Sequence, residues 1–232
     1  MSKYAEIIYP PDEENQYPQK LADYLYHRFI KDTITGEGAP KILDIGCSSG
    51  TALRRFNRRN NLDPYGIDIR DENAEGFKFK KCNLEHETIP FNTNTFDIVY
   101  SKSVLEHVTN TDNFVSESFR VLKPGGVFVG LTPDWDSQRR IFWDDYTHVK
   151  PFTRKGLRDC LIIYGLDKVD CEYFYQLPFI WEYPYLEFIP KAISLLPDSL
   201  KWKDREQRNT KDRKLIRFSK EKMLLAYGNK PK

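Results

Sequence analysis

The sequence predicts an α/β protein: a three-layer arrangement in which helices cover both faces of a mostly parallel sheet. Two observations carry this. From Lys41 onward, short apolar segments of strand character alternate with amphipathic segments of helical period, and such alternation demands crossover connections and a parallel sheet. The first buried segment also runs directly into a turn of small residues, Gly46-Cys47-Ser48-Ser49-Gly50, that opens a helix. Open α/β sheets bind ligands at such carboxyl-end turns.

Within residues 13–33, Leu21, Ala22, Leu25, Phe29 and Ile30 share one helical face, and Gly36, Gly38 and Pro40 stop the helix. KILDIG (41–46) is a short buried strand, followed by the helix TALRRFNRRN (51–60). PYGIDIR, FKFKKCNL and TFDIVYS supply the second, third and fourth strands. FVSESFRVL is an amphipathic helix that ends at Lys123-Pro124-Gly125-Gly126, read as a turn before the fifth strand, VFVGLT. TRKGLRDCLIIYG is a further helix and LDKVDCEYFYQL a further strand. A region rich in aromatic residues and proline follows, and the run KMLLAYG closes the chain as a last strand. The expected organisation is one domain over 1–232: an N-terminal helical segment (1–40), a core (41–175), an aromatic and basic insert (176–215) and a closing strand (216–232).

With 40% hydrophobic and 30% charged residues, the chain has a soluble globular balance rather than a disordered one. Its 36 basic and 34 acidic residues give a net charge of +2, so no global field pulls toward nucleic acid, and a nucleic-acid partner is not expected. Residues 201–222 hold ten Lys/Arg against four Asp/Glu, about +6, leaving about −4 elsewhere. Cys47, Cys82, Cys160 and Cys171 are scattered without a CxxC, which argues against a disulfide framework or zinc knuckle and for a reducing compartment. The polar, acidic N-terminus has no apolar signal core and no stretch approaches a membrane span, so a cytoplasmic location is expected.

The chemistry centres on the turn at residues 46–50. Gly46 and Gly50 have no Cβ, so the backbone can approach a ligand closely and adopt positive φ. Their spacing is not the G-x-G-x-x-G of dinucleotide sites. Asp44, just before the turn, can face a cationic amino group. Asp68, ending the second strand, can accept two ribose hydroxyls or cap a helix. Asn83, with Leu84, follows the third strand; its side chain can reach an adenine amine or simply make a turn.

In order and at family-like spacing, ILDIGCSSGTA, GIDIR, IPFNTNTFDIVYSKSVLEHV and FRVLKPGGVFV resemble the successive motifs of class I S-adenosylmethionine-dependent methyltransferases, over roughly residues 41–131. The resemblance implies a Rossmann-like, seven-stranded sheet with one antiparallel strand near the end, and S-adenosyl-L-methionine as cofactor. It implies that Asp44, Gly46 and Gly50 border the methionine part, Asp68 the ribose, and Asn83 and Leu84 the adenine, with Cys47 and Ile69 also cofactor-binding. Ser101 would stand beside the donor. Ser48 replaces the middle glycine of the common GxGxG form, and Asn83 replaces the usual acid at the adenine position.

An alcohol acceptor must lose a proton, which calls for a base. His148 is the expected base, oriented by Asp144 or Asp145, with Asp145 preferred; the alternative is a His148 that merely bridges its loop to the next helix. The DDxTHVxPFT pattern of residues 144–153 resembles a subset acting on sugar hydroxyls in glycan or polysaccharide assembly. In some relatives E-x-x-E-H binds a divalent metal, but Ser103 stands at the first acid, and no metal is expected here. The expected acceptor is a glycan or other small molecule, in a monomer or homodimer. A quinone, lipid or other small-molecule acceptor is the alternative, and a non-catalytic donor-binding module a third reading.

Overall fold

The computed structural model describes residues 19–31, 38–71, 75–200 and 214–232. Seven strands form one sheet: β1 (Lys41–Ile45), β2 (Asp63–Asp68), β3 (Lys78–Lys81), β4 (Phe96–Lys102), β5 (Leu122–Pro133), β6 (Asp167–Phe174) and β7 (Met223–Asn229). Their order is β3-β2-β1-β4-β5-β7-β6. The pairs among β1 to β5 are parallel, whereas β7 runs antiparallel between β5 and β6.

Strand alternation sorts the apolar side chains onto two faces. Leu43 and Ile45 join one core with Val99, Leu224 and Ala226. Ile42 joins the other with Ile98, Leu225 and the helix α1 (Gln19–Leu25). α1 buries Leu21, Ala22 and Leu25, and Ile30 is buried just after it, so the predicted apolar face is real where it is described; residues 13–18 and 32–33 of that reading lie outside the described residues. Two more helices flank the parallel half, α2 (Thr51–Asn57) after β1 and α3 (Thr111–Val121) before β5. Asn110 caps α3 by accepting the N–H of Asn113.

Polar clamps hold the loops. Glu117 of α3 accepts the N–H of Ile89 at 2.7 Å, and Arg120 donates to the carbonyls of Ile89 and Phe91 at 2.8 and 2.9 Å. Asp97 binds Lys123 Nζ with both oxygens and accepts the N–H of Lys41.

Two local expectations change. Lys123-Pro124-Gly125-Gly126 lies within β5 as an irregular start rather than ahead of it as a turn: the register against β4 shifts between Phe96 and Ile98. Gly125 takes φ +79°, and its N–H bonds Lys230 O beyond β7, so a long-range pairing draws the bend into the sheet. The end of the chain is also not strand throughout: residues Lys214–Lys220 form a helix, and β7 starts at Met223. Three further helices lie in the last third: α5 (Arg154–Ile163), α6 (Pro178–Glu182) and α7 (Phe188–Ser194) come before the helix just described, α8 (Lys214–Lys220), while α4 (Trp135–Gln138) directly follows β5. Trp181 of α6 stacks on Phe174 at 5.3 Å and on Tyr24 at 5.6 Å, which ties this segment to β6 and α1. Among the described residues, no helix is long and apolar enough to cross a membrane.

Candidate active site

The carboxyl ends of β1, β2 and β4 open into a cavity of about 410 Å³. Three causes create it. β1 ends in Gly46 at φ +75°, where an added Cβ would come within 2.2 Å of Val104 Cγ2. Ser48 follows at φ +46°, and Gly50 at φ +80° starts α2. Ser103, after β4, is also left-handed at φ +57°. Backbone held in this region by non-glycine residues costs energy and marks functional turns.

Asp44, Gly46, Cys47, Asp68, Ile69, Asn83 and Leu84, all expected from the sequence, line this one cavity. Asp44 is 3% exposed. Burial, and then the nearby Asp68, push its carboxyl well above the usual range, against the opposing pull of Lys102. Asp68 accepts the N–H groups of Ser48 and Arg70, each at 3.0 Å, and Arg70 Nη2 reaches Ser48 Oγ at 2.9 Å. Asn83 Oδ1 accepts from the N–H of Glu85 at 3.1 Å, so it makes the local turn while lining the cavity.

Four expected residues lie elsewhere. Gly50 is not in the wall: an added Cβ would meet Phe77 Cε1 at 2.2 Å, so this glycine serves packing beneath the turn. Ser101 is 1% exposed and its hydroxyl donates to Ile45 O at 3.1 Å, joining β4 to β1 instead of facing the cavity. His148 and Asp145 stand behind the wall, which is formed there by His107 and Thr147. Strand alternation and the path of the 142–150 loop decide these placements, and neither is visible in local composition.

The cluster behind the wall is connected. Thr147 Oγ1 donates to Asp145 Oδ1 at 2.6 Å, and Thr147 N–H donates to the same oxygen at 3.0 Å. His107 Nδ1 lies 2.9 Å from Thr147 Oγ1 and 3.2 Å from Thr147 O, so it donates and leaves Nε2 as the acceptor. His148 Nδ1 donates to Phe142 O at 2.6 Å, and its Nε2 is 3.8 Å from Asp145 Oδ2. The two imidazole rings are 4.8 Å apart. Burial, and then neighbouring His148, hold His107 below the usual imidazole range, so it is neutral near pH 7. Glu106 is buried, accepts from Thr132 Oγ1 at 2.9 Å, and is pushed by burial up to about 7. Burial also lowers Lys102, between Asp44 and Glu106. Glu106, His107 and His148 each offer a ligand atom, all within 4.8 Å of one another, a set able to supply three ligands to a divalent ion. The sequence alone does not assemble this trio, because the loop that brings His148 to Glu106 and His107 cannot be read from spacing. Lys102, Thr147 and Arg70 are wall residues that the sequence does not single out; the available signal is that Lys102 ends β4 and Arg70 lies two residues past β2.

Residues 43–130 match the family model described as a methyltransferase domain. The 24-methylenesterol C-methyltransferase 3 of Arabidopsis thaliana is 30% identical over 140 residues, covering 56% of this chain and 38% of that protein. The mitochondrial ubiquinone biosynthesis O-methyltransferase of Rattus norvegicus is 33% identical over 99 residues, covering 37% of this chain and 28% of its own length. The chain thus spans well under half the length of these relatives. An S-adenosylmethionine-dependent methyltransferase from Archaeoglobus fulgidus superposes with a TM-score of 0.61 at 18% identity, over 94% of this chain and 97% of that one. A chain of the complex between the Haloferax volcanii Trm112 methyltransferase activator and a methyltransferase gives 0.62 at 19%, over 95% and 92%. The matched stretch shows a methyltransferase domain over residues 43–130, and the strand order with its single reversed strand is the Rossmann-like fold of the solved methyltransferases.

Proposed function

We propose that this chain methylates a hydroxyl of a small-molecule acceptor that enters beside His107 and Thr147. What supports this is His107, which lines the cavity with its Nδ1 tied to Thr147, so that Nε2 remains to accept a proton. In the donor half, Asp44 faces the amino end of the donor, Asp68 and Ile69 the ribose, and Asn83 and Leu84 the adenine, with Gly46 and Cys47 along the methionine. Asp44 is a buried carboxylate beside another acid, so a cationic ligand there relieves a charge that the fold holds at a cost.

In the reaction the methyl carbon leaves the sulfonium sulfur as the acceptor oxygen bonds to it in line. The S–C electron pair stays on sulfur, giving S-adenosylhomocysteine. The hydroxyl proton passes to His107 Nε2. Alignment supplies most of the acceleration, because the donor is already activated, and the base contributes about 10²–10⁴-fold. Asp145 and Thr147 act as positioning residues that hold the His107 tautomer, with His148 packed behind.

The acceptor favoured is a hydroxyl on an apolar body, of quinol or lipid type, over a sugar. Of the named relatives, one is a ubiquinone biosynthesis O-methyltransferase and one a sterol C-methyltransferase, both with apolar acceptors by name. The test is formation of S-adenosylhomocysteine with catechol, lipid-alcohol and sugar acceptors. Turnover on sugars alone would reverse the acceptor assignment, and full turnover by His107→Ala would remove the base. The Glu106, His107 and His148 cluster favours a second reading, in which these three residues would hold a divalent cation that would supply Lewis-acid chemistry to the acceptor hydroxyl. Loss of activity in EDTA, restored by Mg²⁺, Mn²⁺ or Zn²⁺, selects that reading.

A further inference from the structure

Among the described residues, one arginine and one lysine line the cavity, Arg70 and Lys102. Arg70 is taken up on the Asp68 side: its N–H donates to Asp68 Oδ1 at 3.0 Å, and its Nη2 reaches Ser48 Oγ at 2.9 Å. Lys102 is placed by the sheet. Asp44 of β1 pairs with Tyr100 of β4, and Lys102 ends β4 two residues later. Strand alternation therefore sets Lys102 on the same side of the sheet as Tyr100 and Asp44, one step nearer the carboxyl edge where the cavity opens.

This lysine is held without a fixed anion. Burial disfavours its ammonium, and the attraction of Glu106 and then Asp44 opposes this without cancelling it, so its pKa stays lowered. Neither carboxylate closes an ion pair with it, and its side chain makes no hydrogen bond among the described residues. Glu106 instead accepts from Thr132 Oγ1 at 2.9 Å. A sequestered cation without a partner is costly, and an anionic ligand offsets that cost. The donor brings such an anion. Its methionine end carries a carboxylate on the same carbon as the amino group, so the contact that sets the amino group at Asp44 also brings the carboxylate to the neighbouring wall. The acceptor proposed above, a hydroxyl on an apolar body, brings none.

We infer that Lys102 binds the carboxylate of the donor, so that Asp44 and Lys102 together recognise its amino-acid end as a zwitterion. This rests on the reading of the donor site given above. The experiment is titration calorimetry with S-adenosylhomocysteine and with its decarboxylated counterpart, S-adenosyl-3-thiopropylamine, which keeps the adenosine, the sulfur and the amine and lacks only the carboxylate. The parent should bind the complete compound at least about tenfold more tightly, as a charge-assisted contact shielded from water predicts. Lys102→Met keeps a side chain of similar length without the charge. It should weaken the complete compound by that factor, leave the decarboxylated one unchanged and so close the gap. Lys102→Arg should retain part of the gap, and circular dichroism of both variants should match the parent. Equal affinity of the parent for the two compounds would overturn the inference without any variant. A loss in Lys102→Met that is the same for both compounds would also overturn it, since a purely structural lysine behaves that way. So would full S-adenosylhomocysteine affinity in Lys102→Met with turnover lost only on acceptors that bear an acid, which assigns the cation to the acceptor. Folded parent that binds neither compound would refute the donor site itself, and this inference with it.

Discussion

Replacing Gly46 by alanine tests the turn on which the proposed donor site depends. Gly46 has φ +75°, and an added Cβ would meet Val104 Cγ2 at 2.2 Å. Two penalties arise. A left-handed conformation costs a Cβ-bearing residue about 1–2 kcal/mol. Carbon atoms also prefer about 3.5–4.0 Å, so the contact is more than about 1 Å too short, and overpacking of this kind costs about 1–3 kcal/mol. The sum, about 3.5 kcal/mol in mid-range, lowers Tm by about 7–14 °C for a chain of this size. Gly76 separates the two penalties, since it has φ +83° with nothing within 4 Å of an added Cβ. Gly76→Ala should therefore lose only the backbone part, about 1–2 kcal/mol. Val104 lines the cavity, so its displacement in Gly46→Ala should also weaken S-adenosylhomocysteine by at least about tenfold, equivalent to 1.4 kcal/mol. Thermal denaturation and titration calorimetry read both effects. Equal destabilisation of the two variants, or unchanged ligand affinity in Gly46→Ala, would refute the close-approach account.

Asp44→Asn should weaken donor and product binding by about tenfold or more while leaving stability equal or higher, because the charge removed is buried beside Asp68; calorimetry with paired melting curves checks this. His107→Ala should cut kcat by about 10²–10⁴-fold with product affinity retained. Thr147→Val should lower kcat less and shift the pH–rate profile, a response that a purely structural threonine would not produce. Glu117 is pushed up by burial, but hydrogen bonds from Arg120 and the Ile89 N–H, with the Arg120 charge, outweigh this and hold it below the usual carboxylate range. Its folded form therefore favours ionisation, and the resulting stability is present above the unfolded carboxylate pKa, about 4.3. Glu117→Gln should cost about 1–2 kcal/mol at pH 7, and the difference from the parent should vanish as pH falls below that range; urea melts at pH 7 and pH 3 measure it.

Much of the donor half could be read from neighbouring residues alone. A strand of period two that ends in Gly46, and a second that ends in Asp68, are local patterns, and local patterns survive folding unchanged. Thus Asp44, Gly46, Cys47, Asp68, Ile69, Asn83 and Leu84 can be picked out from local pattern, and all line one cavity. The same reasoning does not reach a side chain's direction where that depends on a partner strand. Ser101 looked equivalent to the others, yet pairing of β4 with β1 turns its hydroxyl onto Ile45 O. Gly50 had the right residue type, but Phe77, far along the chain, occupies the space beside it.

The sequence by itself determined the fold class and the donor chemistry, because periodicity and turn composition act over a few residues. Tertiary structure alone decided which imidazole reaches the cavity. His107 and Thr147 are separated by 40 positions and meet only because the 142–150 loop folds back over the start of the 105–107 turn, where Val149 and Lys150 donate to Glu106 O. Contacts made across such a separation depend on the path of the chain between them, which no local pattern encodes.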